Sequence, residues 1–296
     1  MKSQDIVKTD HQLFMQEAER LTSLDVENLA DELVDRRHEK IIYEAFGKLP
    51  AESVQLQFTG LSLRHTFIQG LTYLNLCKKI AQREKRFFER SGPGLVVDFG
   101  SGWGRITQLL SLYFDPERIL GCDVMESAID EAKRNGVQAK FIKTEAWPPT
   151  RLQNESVDHI FSYSVFYHLS EDNAWAWIRE FHRILRPGGL AFLTTRHRSF
   201  FKYLKTLHQN SDIPSFANGA HKAFKDIESA KKNYDQGSFC FDVLGGGGRG
   251  LTPVYGEAFI PPQYVHDRYG KIFSAVGFEE PIPSGLLDQA TIWLQK

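Results

Sequence analysis

Through residues 1–90 apolar side chains return every three or four positions, as at Val26, Leu29 and Leu33 and again at Phe67, Leu71 and Leu74. That spacing lines one face of a helix, and with no alternating run between these stretches it predicts a helical extension. The cluster Ser91-Gly92-Pro93-Gly94 is expected to end the last long helix and to mark a domain boundary. Beyond it short apolar runs alternate with amphipathic stretches, the pattern of a parallel sheet covered by helices on both faces. Strands are predicted at residues 95–99, 119–122, 139–142, 159–162 and 190–194, and helices at 105–113, 127–135 and 172–185. The last of these helices should stop at Arg186-Pro187-Gly188-Gly189, where proline cannot continue it and glycine permits a reversal.

Residues 199–256 interrupt the alternation. They are rich in aromatic and basic side chains and end in Gly245-Gly246-Gly247-Gly248-Arg249-Gly250, which reads as an inserted segment with a flexible tip. The remainder predicts a helix over 262–276 and two strands, at 278–282 and 290–294, joined by a Pro-Ser-Gly turn into an antiparallel hairpin. The chain is thus an α/β protein, with residues 1–90 as a helical extension and 91–296 as the main domain carrying the insertion.

Composition narrows the class. With 296 residues, 42% of them hydrophobic and 25% charged, the chain buries a sizeable core and holds no apolar run long enough for a membrane span. Its start lacks the apolar stretch of a secretory signal, and Cys77, Cys122 and Cys240 have neither paired nor metal-ligand spacing, so a soluble protein of the reducing cytoplasm is expected. A formal charge of -1 carries no footprint of a nucleic-acid partner. Between Arg196 and Lys232 there are eight Lys/Arg against three Asp/Glu, a local excess expected to form a solvated helix surface rather than an anion site. No cluster of His, Asp and Glu has metal-ligand spacing, so no metal is expected.

The candidate chemistry starts at Val96-Val97-Asp98-Phe99-Gly100-Ser101-Gly102-Trp103-Gly104, a buried strand running through a glycine turn into a helix. Such a turn brings backbone amides close to a polar ligand. It also arises from packing alone. About twenty residues on, Asp123 ends the second strand, where a carboxylate accepts from both hydroxyls of a ribose, so the turn is read as a nucleoside site. The third glycine comes at Gly104 and residue 105 is arginine, giving G-x-G-x-G where a dinucleotide loop has G-x-G-x-x-G. NAD is therefore the weaker ligand.

The runs VVDFGSGWGRIT, GCDVM, SVDHIFSYSVFYHL and LRPGGLAFLTT, in this order and spacing over residues 95–195, resemble the class I S-adenosylmethionine (SAM)-dependent methyltransferases. The resemblance implies a Rossmann-like seven-stranded sheet of order 3-2-1-4-5-7-6 with strand seven antiparallel. It implies that Asp98 and the loop Gly100, Ser101, Gly102 and Gly104 contact the methionyl and adenosyl parts of SAM, that Asp123 holds its ribose and that Val124 or Met125 packs on its adenine. Glu145 and Ala146 take the position near the adenine amine, although the Trp147-Pro148-Pro149 that follows departs from the family pattern. Helical extensions like residues 1–90 usually cover the substrate side in this family. The run Thr252 to Phe259, which includes Tyr255, and the Asp288-Gln289 pair resemble more loosely bacterial methyltransferases of glycans and small metabolites.

For a methyl donor of this kind the acceptor must be positioned and, if it is a hydroxyl, deprotonated. His168 follows the fourth strand, at the sheet edge where ligands of such folds bind, and is the expected general base, with Tyr163 and Tyr167 beside it. Arg196 and His197, after the fifth strand, are expected on the same rim as substrate contacts. The Asn/Asp-Pro-Pro-aromatic motif of amine-modifying relatives is replaced by Ser162-Tyr163-Ser164-Val165. The expected reaction is O-methylation of a small molecule or glycan, with N-methylation or non-catalytic SAM binding as the alternatives.

Overall fold

The computed structural model describes residues 16–210, 213, 217–244, 253–282 and 289–296. The main strands are β1 (Leu95–Phe99), β2 (Ile119–Asp123), β3 (Lys140–Lys143), β4 (Val157–Ser162) and β5 (Leu185–Arg196). The insertion adds β6 (Cys240–Val243) and β7 (Gly256–Phe259), and the chain finishes with β8 (Ala275–Glu279) and β9 (Gln289–Gln295). Seven strands form one sheet in the order β3-β2-β1-β4-β5-β9-β8, while β6 and β7 pair separately. Once the insertion's two strands are set aside, this is the expected 3-2-1-4-5-7-6 order.

β1, β4 and β5 run parallel, and β9 is antiparallel to both β5 and β8, with Phe192 opposite Trp293 and Thr194 opposite Thr291. The last eight residues of β5, Gly189 to Arg196, are all buried, which explains their largely apolar sequence: both faces of a central strand are covered.

The chain divides into two compact units. The first holds the residues up to Gly92 with Ser101–Gly121 and Glu126–Ile142. Its principal element is the 21-residue helix Leu63–Arg83, which buries Phe67, Leu71, Leu74, Cys77 and Ile80 at helical spacing. Gly70 lets this helix close on Arg105–Leu110, since a Cβ there would stand 2.7 Å from Leu109 Cδ1. Beside it the buried Arg105 donates to Gln69 Oε1 at 2.6 Å. The arginine that breaks the dinucleotide pattern is therefore a tie to the N-terminal helix. That helix ends at Arg83, earlier than the Ser91–Gly94 cluster predicts, because Phe88 turns in to pack on Tyr113 and Phe114.

The second unit comprises Pro93–Gly100, Cys122–Met125 and Lys143–Lys296. Its helix Glu171–Ile184 is capped by Ser170 and stops before Pro187, and Gly188 (φ 78°) makes the turn while bonded to the end of the chain. The insertion builds its own core, in which Phe201 stacks on Phe259 at 4.0 Å beside Leu204, Ala223 and Tyr234. Phe200 and Phe201 are core residues, and Lys202, Lys205, Lys222 and Lys225 face solvent. The helix starting at Pro262 is shorter than its apolar pattern suggests: it ends at Arg268, a 3-10 turn buries Tyr269, and β8 begins at Ala275. The glycine tip 245–250, the Pro-Ser-Gly turn and Asp288 lie outside the described residues.

Candidate functional site

β1 delivers Asp98 to the edge of the sheet with its side chain 1% exposed. The chain then turns at Gly100 (φ 76°), whose amide donates to the Cys122 carbonyl at 2.7 Å. A Cβ at Gly100 would stand 2.2 Å from Val165 Cγ2, so this glycine is required both by its backbone conformation and by the segment after β4. Gly100→Ala is expected to cost about 1–2 kcal/mol for the left-handed backbone and about 1–3 kcal/mol for the overpacking. A lowered thermal midpoint, recovered only in part by Gly100→Ala/Val165→Ala, checks the two contributions.

Gly102 and Gly104 differ from Gly100. At Gly104 (φ 89°) a Cβ would press on Val137 and Ala132 at 3.2–3.3 Å, so close packing accounts for it. At Gly102 (φ 53°) it would meet, among the described residues, only Phe58, at 3.6 Å. Phe58 lies on the helix Glu52–Thr59 and is 39% exposed, which sets an N-terminal aromatic ring beside the middle of the glycine turn. Ser101 is buried, and its Oγ has no hydrogen-bond partner among the described residues.

At the end of β2, Asp123 is oriented by the Met125 amide, which donates to its Oδ1 at 2.8 Å, while the Asp123 carbonyl accepts from Thr144. Val124 is half-buried and Met125 is exposed. After β3, Glu145 is exposed, and the Ala146 carbonyl accepts from both Asn173 Nδ2 at 2.9 Å and Trp177 Nε1 at 3.1 Å. Two side chains of the following helix thus fix this loop.

The segment after β4 is pinned at several points. Ser164 (φ 64°) donates its amide to Thr194 Oγ1 at 2.7 Å and accepts from Gln289 Nε2 at 2.8 Å. A 3-10 turn, Phe166–His168, follows and joins the start of β7: Ser170 donates to the Val254 carbonyl, and Leu169 bridges Tyr255. His168 Nδ1 lies 2.9 Å from the Gly256 carbonyl oxygen. A carbonyl only accepts, so Nδ1 carries the proton and the neutral ring keeps its lone pair on Nε2. Burial pushes the His168 pKa down and Arg196 adds to this, against the opposing pull of Glu257 and the Gly256 bond.

His168 also stacks on Tyr255, at 4.8 Å and 17°, and touches Tyr167. Burial pushes the Tyr255 phenol up to about 12. Arg196 is buried, lies 3.8 Å over the Tyr167 ring and 4.0 Å over Phe200, and pairs with Glu257, which is 1% exposed. Tyr163 is buried nearby in sequence. His197 is not in this group. It lies just past the end of β5 and reaches Ser199 at 2.9 Å and Glu280 at 2.6 Å instead.

The sequence brought Arg196, His168, Tyr167 and Tyr255 forward as separate candidates; the structure gathers them around Glu257. Neither Glu257 nor the Ser164–Thr194–Gln289 ties stood out in the sequence. A lone glutamate in an apolar run, Gly256 to Phe259, is the signal from which Glu257 could have been found, because an ionised side chain is buried there only with a partner. Among the described residues no group of His, Cys, Asp and Glu forms a metal site, and no helix is long and apolar enough to cross a membrane.

No curated protein matches the chain. Among solved structures, similar folds include a SAM-dependent methyltransferase of Methanosarcina mazei, at 17% identity over 69% of this chain and 93% of that one, with a TM-score of 0.45. An S-adenosylmethionine dependent methyltransferase of Mesorhizobium loti, at 14% identity, covers 69% and 92% with a TM-score of 0.44. A protein of Pyrococcus horikoshii, at 17% identity, covers 75% and 89% with a TM-score of 0.46. Residues 96–189, from β1 through the glycine turn to the start of β5, match the methyltransferase domain family. The match takes in the strands and the glycine turn at the centre of the molecule's seven-stranded sheet, whose order is Rossmann-like.

Proposed function

We propose that the protein transfers the methyl group of SAM to a hydroxyl of a small molecule or glycan, with His168 as general base. The carrying observation is the His168 ring itself: its Nδ1 is committed to the Gly256 carbonyl, so Nε2 is the nitrogen that accepts a proton. Its lowered pKa keeps it neutral near pH 7.

The glycine turn suits the cofactor. Among the described residues, a Cβ at Gly102 would meet Phe58 alone, and Ser101 offers a buried hydroxyl without a partner. Asp98 and the Gly100, Gly102 and Gly104 backbone would hold the methionyl and adenosyl parts, Asp123 the ribose, and Val124, Met125, Glu145 and Ala146 the adenine. Bound there, SAM supplies a methyl already activated for transfer. Phe58 supports a covering role for the N-terminal helices beside the turn. Tyr163, Tyr167 and Tyr255 are assigned to the acceptor side, where they would exclude water and orient the hydroxyl. The charge of Arg196 is met by Glu257, which favours a neutral acceptor over an anionic one.

Two measurements test this reading. Calorimetry with SAM should show one site per chain; no heat of binding would remove the cofactor. Incubation with methyl-labelled SAM and a metabolite and glycan extract should yield a labelled methyl ether, whereas a labelled ester or amine would move the reaction to a carboxylate or to nitrogen and no label would leave a SAM-binding protein. Asp123→Ala is expected to weaken SAM binding about 10- to 100-fold, the equivalent of one or two charge-assisted hydrogen bonds. Unchanged affinity would remove Asp123 from the ribose.

A further inference from the structure

Glu257 is an ionisable side chain at 1% exposure in a strand that is otherwise apolar. Its two oxygens face different partners. Oε1 takes the Arg196 Nε–H, and Oε2 stands 4.0 Å from His168 Nδ1. Arg196 cannot swing away readily, because its guanidinium lies between the rings of Tyr167 and Phe200. Backbone holds the other partner: β7 and the turn ending at His168 are joined through Leu169–Tyr255, Ser170–Val254 and His168–Gly256. Among the described residues, the charged groups facing His168 are therefore Glu257 and Arg196, with the Tyr167 and Tyr255 rings as walls.

We propose that Glu257 is a positioning residue for His168, held by Arg196 so that its carboxylate stabilises the imidazolium formed during methyl transfer. This rests on His168 being the base. The acceptor oxygen loses its proton to Nε2 and gains the methyl carbon, whose former bonding pair stays on the donor sulfur. His168 then carries a positive charge until it releases the proton to water. A carboxylate 4.0 Å from Nδ1 favours that charged state, and at this burial the attraction is screened far less than it would be at the surface. Arg196 by itself would oppose the imidazolium. Paired with Glu257, it serves to aim the carboxylate.

The alternative is that Arg196 and Glu257 only tie β5 to β7. Side-chain NMR of the histidine-labelled full chain separates the two without any acceptor. The His168 resonance is assigned by its absence in His168→Gln, and ring nitrogen shifts report the tautomer. Wild-type protein is expected to show the Nδ1–H form. Removing the negative charge makes the imidazolium easier to deprotonate, so in Glu257→Gln the His168 pKa should fall and the acid limb of the rate profile should move to lower pH. With the acceptor fraction found by methyl labelling, kcat should drop on the order of tenfold to a hundredfold while SAM affinity holds. Glu257→Asp should recover part of both losses.

If Glu257→Gln does not fold, Arg196→Gln/Glu257→Gln keeps the pair neutral. Its His168 pKa is still expected below wild type, since the lost carboxylate is the charge that stood 4.0 Å from the ring, while the Arg196 Nε–H is turned to Glu257. An unchanged His168 pKa in the variants, with or without loss of turnover, would overturn the proposal and leave a structural tie. Retained turnover in His168→Gln would instead remove the base reading on which the proposal stands.

Discussion

His168→Gln is expected to lower turnover about 10²- to 10⁴-fold, the range typical of removing a positioned general base. Glutamine keeps a polar side chain of similar reach and can still donate to the Gly256 carbonyl, which limits the damage to the turn. It cannot accept a proton at neutral pH. SAM affinity should therefore stay within about twofold of wild type, because no cofactor contact is assigned to this residue. Calorimetry and single-turnover methyl transfer, run on the same preparation, separate the two effects. Turnover within threefold of wild type would remove the assignment.

The pH dependence carries a sign. A base works in its neutral form, so the rate should rise with pH and level off once the ring is deprotonated. Burial lowers the His168 pKa, with Arg196 contributing and Glu257 opposing, so the midpoint of the rise should lie below the ordinary imidazole value. A midpoint above that value would contradict the assignment.

Arg196→Met should destabilise the fold by about 3–5 kcal/mol, since it strands a buried carboxylate without its partner. Set against a total stability of about 5–15 kcal/mol, that is enough to threaten folding at physiological temperature. Methionine preserves much of the side-chain volume between Tyr167 and Phe200, so the loss reports mainly the uncompensated charge. Arg196→Met/Glu257→Leu removes both charges and should regain most of the stability, because a buried ion pair replaced whole by apolar side chains is often neutral. Urea unfolding midpoints measure both. A single variant as stable as wild type would mean that Glu257 finds another partner or water in the folded state.

Local rules left clear marks for the sheet. A strand buried on both faces has to be apolar along its length, and a strand entering a glycine turn has to place its glycines where φ is positive; Leu95–Phe99 with Gly100, Gly102 and Gly104 meets both conditions. Element ends were less legible. The helix 63–83 stops where Phe88 finds Tyr113 and Phe114, a contact more than twenty residues away that no local pattern encodes.

The candidate site divides along the same line. Asp98, Asp123 and the glycine turn lie within about 25 residues of one another on consecutive elements, so strand period and spacing were enough to place them in the chain. The partners of His168 come from β5 and β7, and Glu257 lies 89 positions after it. No spacing rule reaches across an insertion that has its own core. Sequence by itself determined the sheet, its strand order through a family resemblance, and the glycine turn, because each depends on local backbone geometry and on burial repeated with a short period. Only the tertiary structure decided that Arg196 is paired rather than free, that His197 points away, and that His168 keeps its lone pair on Nε2, because each of these depends on which distant groups the fold brings within hydrogen-bonding or Coulomb range.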